Sequence, residues 1–447
     1  MQGKQTFSSL KKEQKEAIGL LQIGTFLEYF DLMLYVHMAV LLNDLFFPKT
    51  DPHTARLLAA FSFSSAFLLR PFGALIFGWI GDNIGRKATV VITTALMAMS
   101  CITMYMLPTY DQIGITASWI MIICRAMQGM SSMGEVIGAE LYLTETIKRP
   151  AIFPVVGFIT VSLTLGGVAA LAIASLATSQ GFDWRYAFLI GAFIAMIGAI
   201  ARTRLRETSD FVNAKREINI IFEKTGIDQK TLQKNPIYNE KVNKMTPIAY
   251  FLLECSAPAC FFLIYGYSSN ILKEFFDYTP TQIIHQNFIV TIIEFLVLLF
   301  ITFLSFKIYP LKILKVKLVM FCGFILIYPY ILTNASSPFE VMLTQLGIVF
   351  LGVNVLPAGP IFYSHFPIFK RFTYTGFAYA LSRAIVHLIT SFGFIYLTEC
   401  LGYYGILVIM VPIILGFAFG INHFEKLERQ CGNISNKKNL DPQESHV

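Results

Sequence analysis

Charge is scarce in this chain. Asp, Glu, Lys and Arg make up only 14% of its 447 residues, whereas 55% are hydrophobic. A soluble globular protein carries about 25% charged residues, so composition argues against a soluble multidomain enzyme. Cysteine is sparse and unpatterned. Cys101, Cys124, Cys255, Cys260, Cys322, Cys400 and Cys431 fall mostly inside apolar segments with no CxxC or metal-ligand spacing, which reads as small core residues. No HExxH, GxSxG or Walker string occurs, so nothing supports a polytopic membrane enzyme. No cleavable signal peptide is evident, because the first apolar run is too long for an h-region and carries charge.

What the chain does contain is a dozen long oily stretches. A spanning helix needs about 20 mostly apolar residues. Such helices are expected at about 18–42, 57–80, 88–107, 117–142, 151–177, 183–202, 246–269, 283–306, 317–333, 338–360, 374–398 and 403–421. The net charge of +7 tempts a nucleic-acid reading, but its distribution reports topology. With these spans, 28 of the 35 Lys and Arg residues fall on one side, including Arg202 and Lys317 in loops. Lys49, Arg56, Arg185 and Lys273 fall on the other, and Arg70, Arg125 and Arg383 lie inside helices. The positive-inside rule then places both termini in the cytoplasm.

The spans group as six, a polar break, and six: an N-terminal bundle over 1–202, a cytoplasmic central loop over 203–245, a C-terminal bundle over 246–421 and a tail over 422–447. The break has a helical flavour around 211–224. The tail is polar and lacks sustained heptads, so disorder is expected there. This pattern suggests two bundles related by an axis along the membrane normal.

Ionisable residues inside spans are expensive and point to function. The first span carries Gly24-x-x-x-Glu28-Tyr29-Phe30-Asp31-x-x-x-Tyr35. Glu28 and Asp31 are three apart and share one helix face. Two close carboxylates cannot both ionise cheaply, which suits a proton carrier. The alternative is structural pairing with a neighbouring helix. The fourth span carries Arg125-x-x-Gln128-Gly129-x-x-x-x-Gly134-Glu135-x-x-x-x-Glu140. Arg125 is a permanent cation that needs an anionic partner. It would either pair with the acids of helix one or bind a substrate carboxylate. A purely structural ion pair is the bland alternative.

A further string, Arg70-Pro71-Phe72-Gly73 running into Gly78-x-x-x-Asp82-x-x-Gly85-Arg86-Lys87, ends the second span. Gly78 permits close contact, Gly85 turns the chain, and Asp82 can accept hydrogen bonds at a helix start. Asp82, Arg86, Lys87, Glu145, Arg149 and Glu207 lie in loops of mixed sign. They could clamp the bundles shut and break on opening, or be ordinary solvated charges. In the second half, Glu254, Glu294, Arg383 and His387 fall inside spans, and Arg383 and His387 share a face. Gly352, Pro357, Gly359 and Pro360 should break or kink helix ten. The abundant aromatics (41 Phe and 20 Tyr) could cage a quaternary ammonium, but packing and interface belts account for most of them.

With its GxxxDxxGRK loop, the chain resembles the major facilitator superfamily and, within it, the metabolite:proton symporters. That group includes proline/betaine, 2-oxoglutarate, citrate and shikimate carriers. The helix-one string, Arg125-x-x-Gln128-Gly129 with Gly134-Glu135, Asp183-Trp184-Arg185 and Arg204-Leu205-Arg206-Glu207-Thr208 carry the likeness, over residues 20–212. The resemblance implies twelve helices in two six-helix bundles, a central cavity and proton-coupled uptake by alternating access. It also implies the pairing of a helix-one acid with a helix-four arginine, which Asp31 and Arg125 match. The chain departs from the pattern after helix eight, where Lys307-Ile308-Tyr309-Pro310-Leu311-Lys312 lacks the Gly and Asp of a second latch, and at Met133-Gly134, where the family has a double glycine.

The resulting expectation is a multi-pass protein of a bacterial inner membrane that imports a small organic solute, either a betaine- or proline-like zwitterion or a carboxylate metabolite. Glu28 and Asp31 would carry the proton. Arg125, Tyr35, Gln128, Glu135, Arg70, Arg383 and Glu294 would bind the solute. Asp82, Arg86, Lys87, Glu145 and Glu207 would form the cytoplasmic gate. The partners are solute, proton and lipid, without nucleic acid, metal or cofactor beyond the proton gradient, and with a monomer as the working unit. An exporter of the same fold and a non-transporting receptor are the alternatives.

Overall fold

The computed structural model describes residues 9–47, 67–177, 183–203, 205–208, 210–216 and 242–434. All regular structure among them is helical. Twelve helical spans follow in order: α1 Lys12–Phe46, α2 Arg70–Asn83, α3 Arg86–Met106, α4 Ile115–Thr146, α5 Ile152–Ala177, α6 Arg185–Arg202, α7 Met245–Phe276, α8 Pro280–Leu304, α9 Pro310–Thr333, α10 in two pieces (Pro338–Leu351 and Gly359–Ser364), α11 Arg371–Leu401 and α12 Gly405–Gln430. Seven of them are long and apolar enough by themselves to cross a bilayer, and parts of α6 and α10 form shorter apolar helices. The polar strings of α2, α4 and α11 sit in the others. Most of the central break lies outside the described residues, apart from a short helix over 210–216.

Local chemistry sets many boundaries. Prolines open α8, α9 and both halves of α10, where a missing N–H costs nothing. Thr279 and Gln282 form a reciprocal capping box on α8. Gly402, at φ 60°, turns the chain after α11. The anticipated break in α10 falls at 352–358. Helix α7 is interrupted too, by a π-helical turn at Phe262–Tyr267. Gln345 of α10 donates to the Ile264 carbonyl within that turn at 2.6 Å, and so meets an acceptor the regular ladder would have used.

Several boundaries differ from expectation: α1 begins at Lys12 rather than 18, α7 runs to Phe276 rather than 269, and two further shifts move charged residues. Helix α9 begins at Pro310 rather than 317, so Lys317 is not a loop charge but lies inside the helix, 7% exposed. Helix α12 continues to Gln430, so the first residues of the supposed tail are helical. Arg202 is likewise fully buried. It closes α6 by donating to the carbonyls of Leu20 at 3.0 Å and Leu21 at 2.8 Å at the start of α1.

Burial is arranged for lipid. Large apolar side chains such as Phe72, Trp79, Met106, Val319 and Tyr330 face outward, while Arg86, Arg125 and Arg202 are among the largest fully buried side chains. Within the first bundle α1 packs on α4, α5 and α6, and α3 on α4 and α6. Within the second α7 packs on α11 and α12, and α9 on α10 and α12. The bundles meet mainly where α2 crosses α11 and α5 crosses α8. Gln14 of α1 bonds to Thr146, and Glu428 of α12 bonds to Arg149, so the start of α1 and the end of α12 share one end of the molecule. This is called the terminal end below.

Candidate functional site

The acids of α1 each have a separate partner. Arg70 Nη2 of α2 donates to Glu28 Oε1 at 3.2 Å, with both side chains no more than 5% exposed. Asp31 Oδ2 accepts from Gln128 Nε2 at 2.5 Å and from Cys101 Sγ at 3.1 Å. Arg125 does not pair directly with Asp31. Its Nη1 donates to Gln128 Oε1 at 2.8 Å, so the glutamine bridges cation and acid, and its guanidinium lies 4.0 Å from the Tyr35 ring centre. Glu28, Asp31, Arg70, Arg125 and Gln128 all line one small void of about 10 Å³, the room of a single water. Asp31 Oδ1 and Arg125 Nε, both buried, have no hydrogen-bond partner among the described residues. The side chain of Glu135 lies outside the described residues.

Two larger cavities occupy the interface between the bundles. The inner one, about 210 Å³, is lined by Arg70 and Glu140 from the first bundle and by Glu254, Glu294, Tyr379 and Arg383 from the second. Arg383 Nη1 donates to Glu254 Oε2 at 2.6 Å and its guanidinium lies 3.4 Å from the Tyr379 ring centre. Glu294 Oε2 accepts from the Tyr265 hydroxyl at 2.6 Å. The outer cavity, about 400 Å³, extends toward Lys273 and Tyr278, at the end of α7 opposite the termini. Tyr29, Phe261, Glu294 and His387 line both cavities and form the neck between them. His387 also packs its ring on Phe67 at 4.4 Å.

The terminal end is tied by charge. Asp82, at the close of α2, accepts from Arg86 Nη1 at 2.9 Å and from the backbone N–H groups of Phe372 and Thr373 at 3.0 and 2.8 Å. Arg86 Nη2 donates to Glu145 at 2.9 Å and to the Ile368 carbonyl at 2.7 Å. Glu145 also takes Arg371 of the second bundle at 3.2 Å and the Thr208 hydroxyl at 2.7 Å. Glu207 accepts from the backbone N–H of Arg86 at 2.9 Å and from that of Lys87. Two glycines make this possible. A Cβ on Gly78 would lie 2.9 Å from Thr373 Cα, and Gly85, at φ 150°, leaves room for the Glu207 carboxylate.

Arg149 belongs to a second tie rather than to that network. Its two terminal nitrogens reach Glu428 at 2.5 and 3.1 Å. The same carboxylate, fully buried, accepts from the Tyr309 hydroxyl at 2.5 Å and meets His365 Nε2 at 2.9 Å. Burial is the largest influence and opposes the charge on Arg149, but hydrogen bonding and charge attraction to Glu428, with Tyr309 adding, together hold its pKa above the ordinary value. A third contact joins the Tyr363 hydroxyl to Glu140.

Sequence reasoning missed Glu428, His365, Tyr309, Tyr363 and Lys317. Tyr309 and Lys317 were in view, in the loop that lacks the Gly-and-Asp latch, but nothing in that loop signals that Tyr309 meets Glu428 or that Lys317 is buried. Glu428 gave no signal because its surroundings read as a polar tail.

Among the described residues, twelve helices in two bundles enclose polar cavities and are joined by charge at one end, the architecture of a multi-pass membrane protein. The family model of the Major Facilitator Superfamily matches residues 21–393, and the chain belongs to that superfamily. It is a multi-pass protein of a bacterial inner membrane. It is 33% identical over 204 residues to the proline/betaine transporter of Escherichia coli (strain K12), a match covering 44% of this chain and 41% of that protein. The chain therefore spans less than half the length of the curated relatives it matches. Its fold is similar to that of a proton:xylose symporter, XylE, bound to 6-bromo-6-deoxy-D-glucose (TM-score 0.72, 13% identity, 92% of this chain and 95% of that one). A human organic anion transporter, TETRAN, is similar at TM-score 0.63 and 13% identity, covering 92% of this chain and all of the other.

Proposed function

We propose that the protein imports a small organic solute by proton symport and alternating access. The observation that carries this reading is the asymmetry of the ties. The described contacts clasp the bundles together at the terminal end, while the central cavity continues into a second chamber toward the opposite end. Such an arrangement suits one state of a rocking cycle, in which the clasp is the bistable element that breaks when the bundles swing. Glu28 and Asp31 are the proton carriers in this scheme. The unpartnered Asp31 Oδ1 is an oxygen on which a proton could reside, and Gln128 passes a change in its charge to Arg125. Arg70, Tyr35, Gln128, Glu135, Arg125, Arg383 and Glu294 are proposed to contact the solute. Asp82, Arg86, Lys87, Glu145 and Glu207 form the gate.

The scheme needs no cofactor beyond the proton gradient, and a monomer contains every group it uses. The relatives it matches are named proline/betaine transporters, so those zwitterions belong in the test panel beside amines and dicarboxylates. The test is uptake into proteoliposomes after an imposed pH step, with a panel of amines, amino acids, betaines and dicarboxylates. Concentrative uptake that collapses with a protonophore is expected. Outward flux alone would select an exporter, and binding without flux would select a receptor.

A further inference from the structure

Around the inner cavity, several buried polar atoms stand without hydrogen-bond partners among the described residues. Both arginines that line it already hold a carboxylate, Arg70 that of Glu28 and Arg383 that of Glu254. Glu140 and Glu294 also line it, and their hydrogen bonds come from phenols, Tyr363 and Tyr265, rather than from cations. Lys317 is buried within α9 and makes no ion pair with Glu294 among the described residues. The wall itself thus carries Glu140, Glu254 and Glu294 against Arg70 and Arg383, and Arg70 is already held by Glu28. Two acceptors on the wall make no hydrogen bond among the described residues: Glu254 Oε1, on a fully buried side chain beside the equally unbonded Tyr250 hydroxyl, and Asn354 Oδ1. Arg70 Nε is an unpartnered donor on the same wall. A buried acceptor without a donor is costly, so these atoms call for a ligand rich in N–H groups.

Building on the transporter reading, we propose that the central cavity takes a protonated amine. Its N–H groups satisfy Glu254 Oε1 and Asn354 Oδ1, and its charge is drawn through the neck by Glu294. The aromatic rings of Tyr29 and Phe261 beside Glu294 suit a passing cation. A quaternary ammonium has no N–H to offer these acceptors, and a dicarboxylate meets a wall of its own sign. The proposal thus separates this chain from solutes whose recognition rests on a carboxylate.

The test is a binding titration of the purified full-length protein in lipid nanodiscs at neutral pH, with no proton gradient. The probes are 1,4-diaminobutane, butylamine, choline, glycine betaine, proline and succinate. The two primary amines should bind saturably, choline about tenfold or more weaker, a difference worth about 1.4 kcal/mol, and succinate weakest. Glu294→Gln should weaken the amines by about tenfold while leaving the unfolding temperature unchanged. Glu140→Gln serves as the second variant if the first does not fold. The proposal is overturned if betaine, proline or succinate binds as tightly as the amines, if neither primary amine binds, or if both variants retain full amine affinity. Because no gradient is applied, a failure of proton coupling leaves this result untouched, and a failure of amine binding leaves the coupling reading to its own uptake test.

Discussion

Asp82 and Thr373 belong to different bundles yet are bonded twice. Asp82 Oδ2 accepts from the Thr373 N–H at 2.8 Å and from its hydroxyl at 2.7 Å. The N-cap residue of α11, Lys370, makes no side-chain cap, so the first bundle supplies the anion that the start of this helix needs. Closure of the terminal end therefore completes a helix, and opening it leaves donors bare.

Asp82→Ala should weaken closure by about 0.5–2 kcal/mol, the usual worth of a cap. Spin labels on the terminal ends of α2 and α11 would report a broader and longer distance distribution than in the parent protein. An unchanged distribution would mean that the cap does not hold the bundles.

Glu428→Ala removes the acceptor shared by Arg149, Tyr309 and His365. Breaking a buried pair costs roughly 3–5 kcal/mol. The lower end is expected here, because the Arg149 side chain is 33% exposed and can rehydrate. A fall in the unfolding temperature larger than that of Arg149→Ala is the expected result. Equal or smaller loss would place the weight of this tie elsewhere.

Asp31→Asn should abolish uphill uptake while leaving exchange of solute at equal concentrations, because the amide mimics only the neutral acid. Uptake measured against a gradient, beside counterflow without one, separates the two. A mutant that still concentrates solute would remove Asp31 from the proton path.

Gly78→Val would force α2 away from α11, since a Cβ there already falls 2.9 Å from Thr373 Cα. Overpacking of this kind costs about 1–3 kcal/mol, and it acts only on the closed form. Thiol labelling of a cysteine placed at Ser364, near the second tie, should quicken several-fold while expression holds. Unaltered labelling would show that α2 and α11 can part without opening the terminal end.

The helices, their number and their grouping were legible because bilayer thickness imposes a length on each apolar run, and that length is a one-dimensional property. Glycines and prolines marked the gap in α10 for the same reason: their backbone limits act locally. The acids of α1, the Arg70 and Arg125 cations and the Asp82–Arg86 loop also stood out, since any charge in an oily run is conspicuous. Their partners did not. Nothing local says that Gln128 intervenes between Arg125 and Asp31, that Arg149 turns away from Glu145 to Glu428, or that Lys317 is buried rather than solvated.

The amino-acid sequence alone determined that this chain is a membrane protein of two six-helix bundles and placed Glu28, Asp31, Arg70, Arg125 and Arg383 within its spans, though not Lys317. Only the tertiary structure decided which charge meets which, where the cavities open and which acceptors stay unmet. Hydropathy depends on neighbours along the chain, whereas an ion pair or an orphaned oxygen depends on the rotation of each helix about its axis, which packing across both bundles sets.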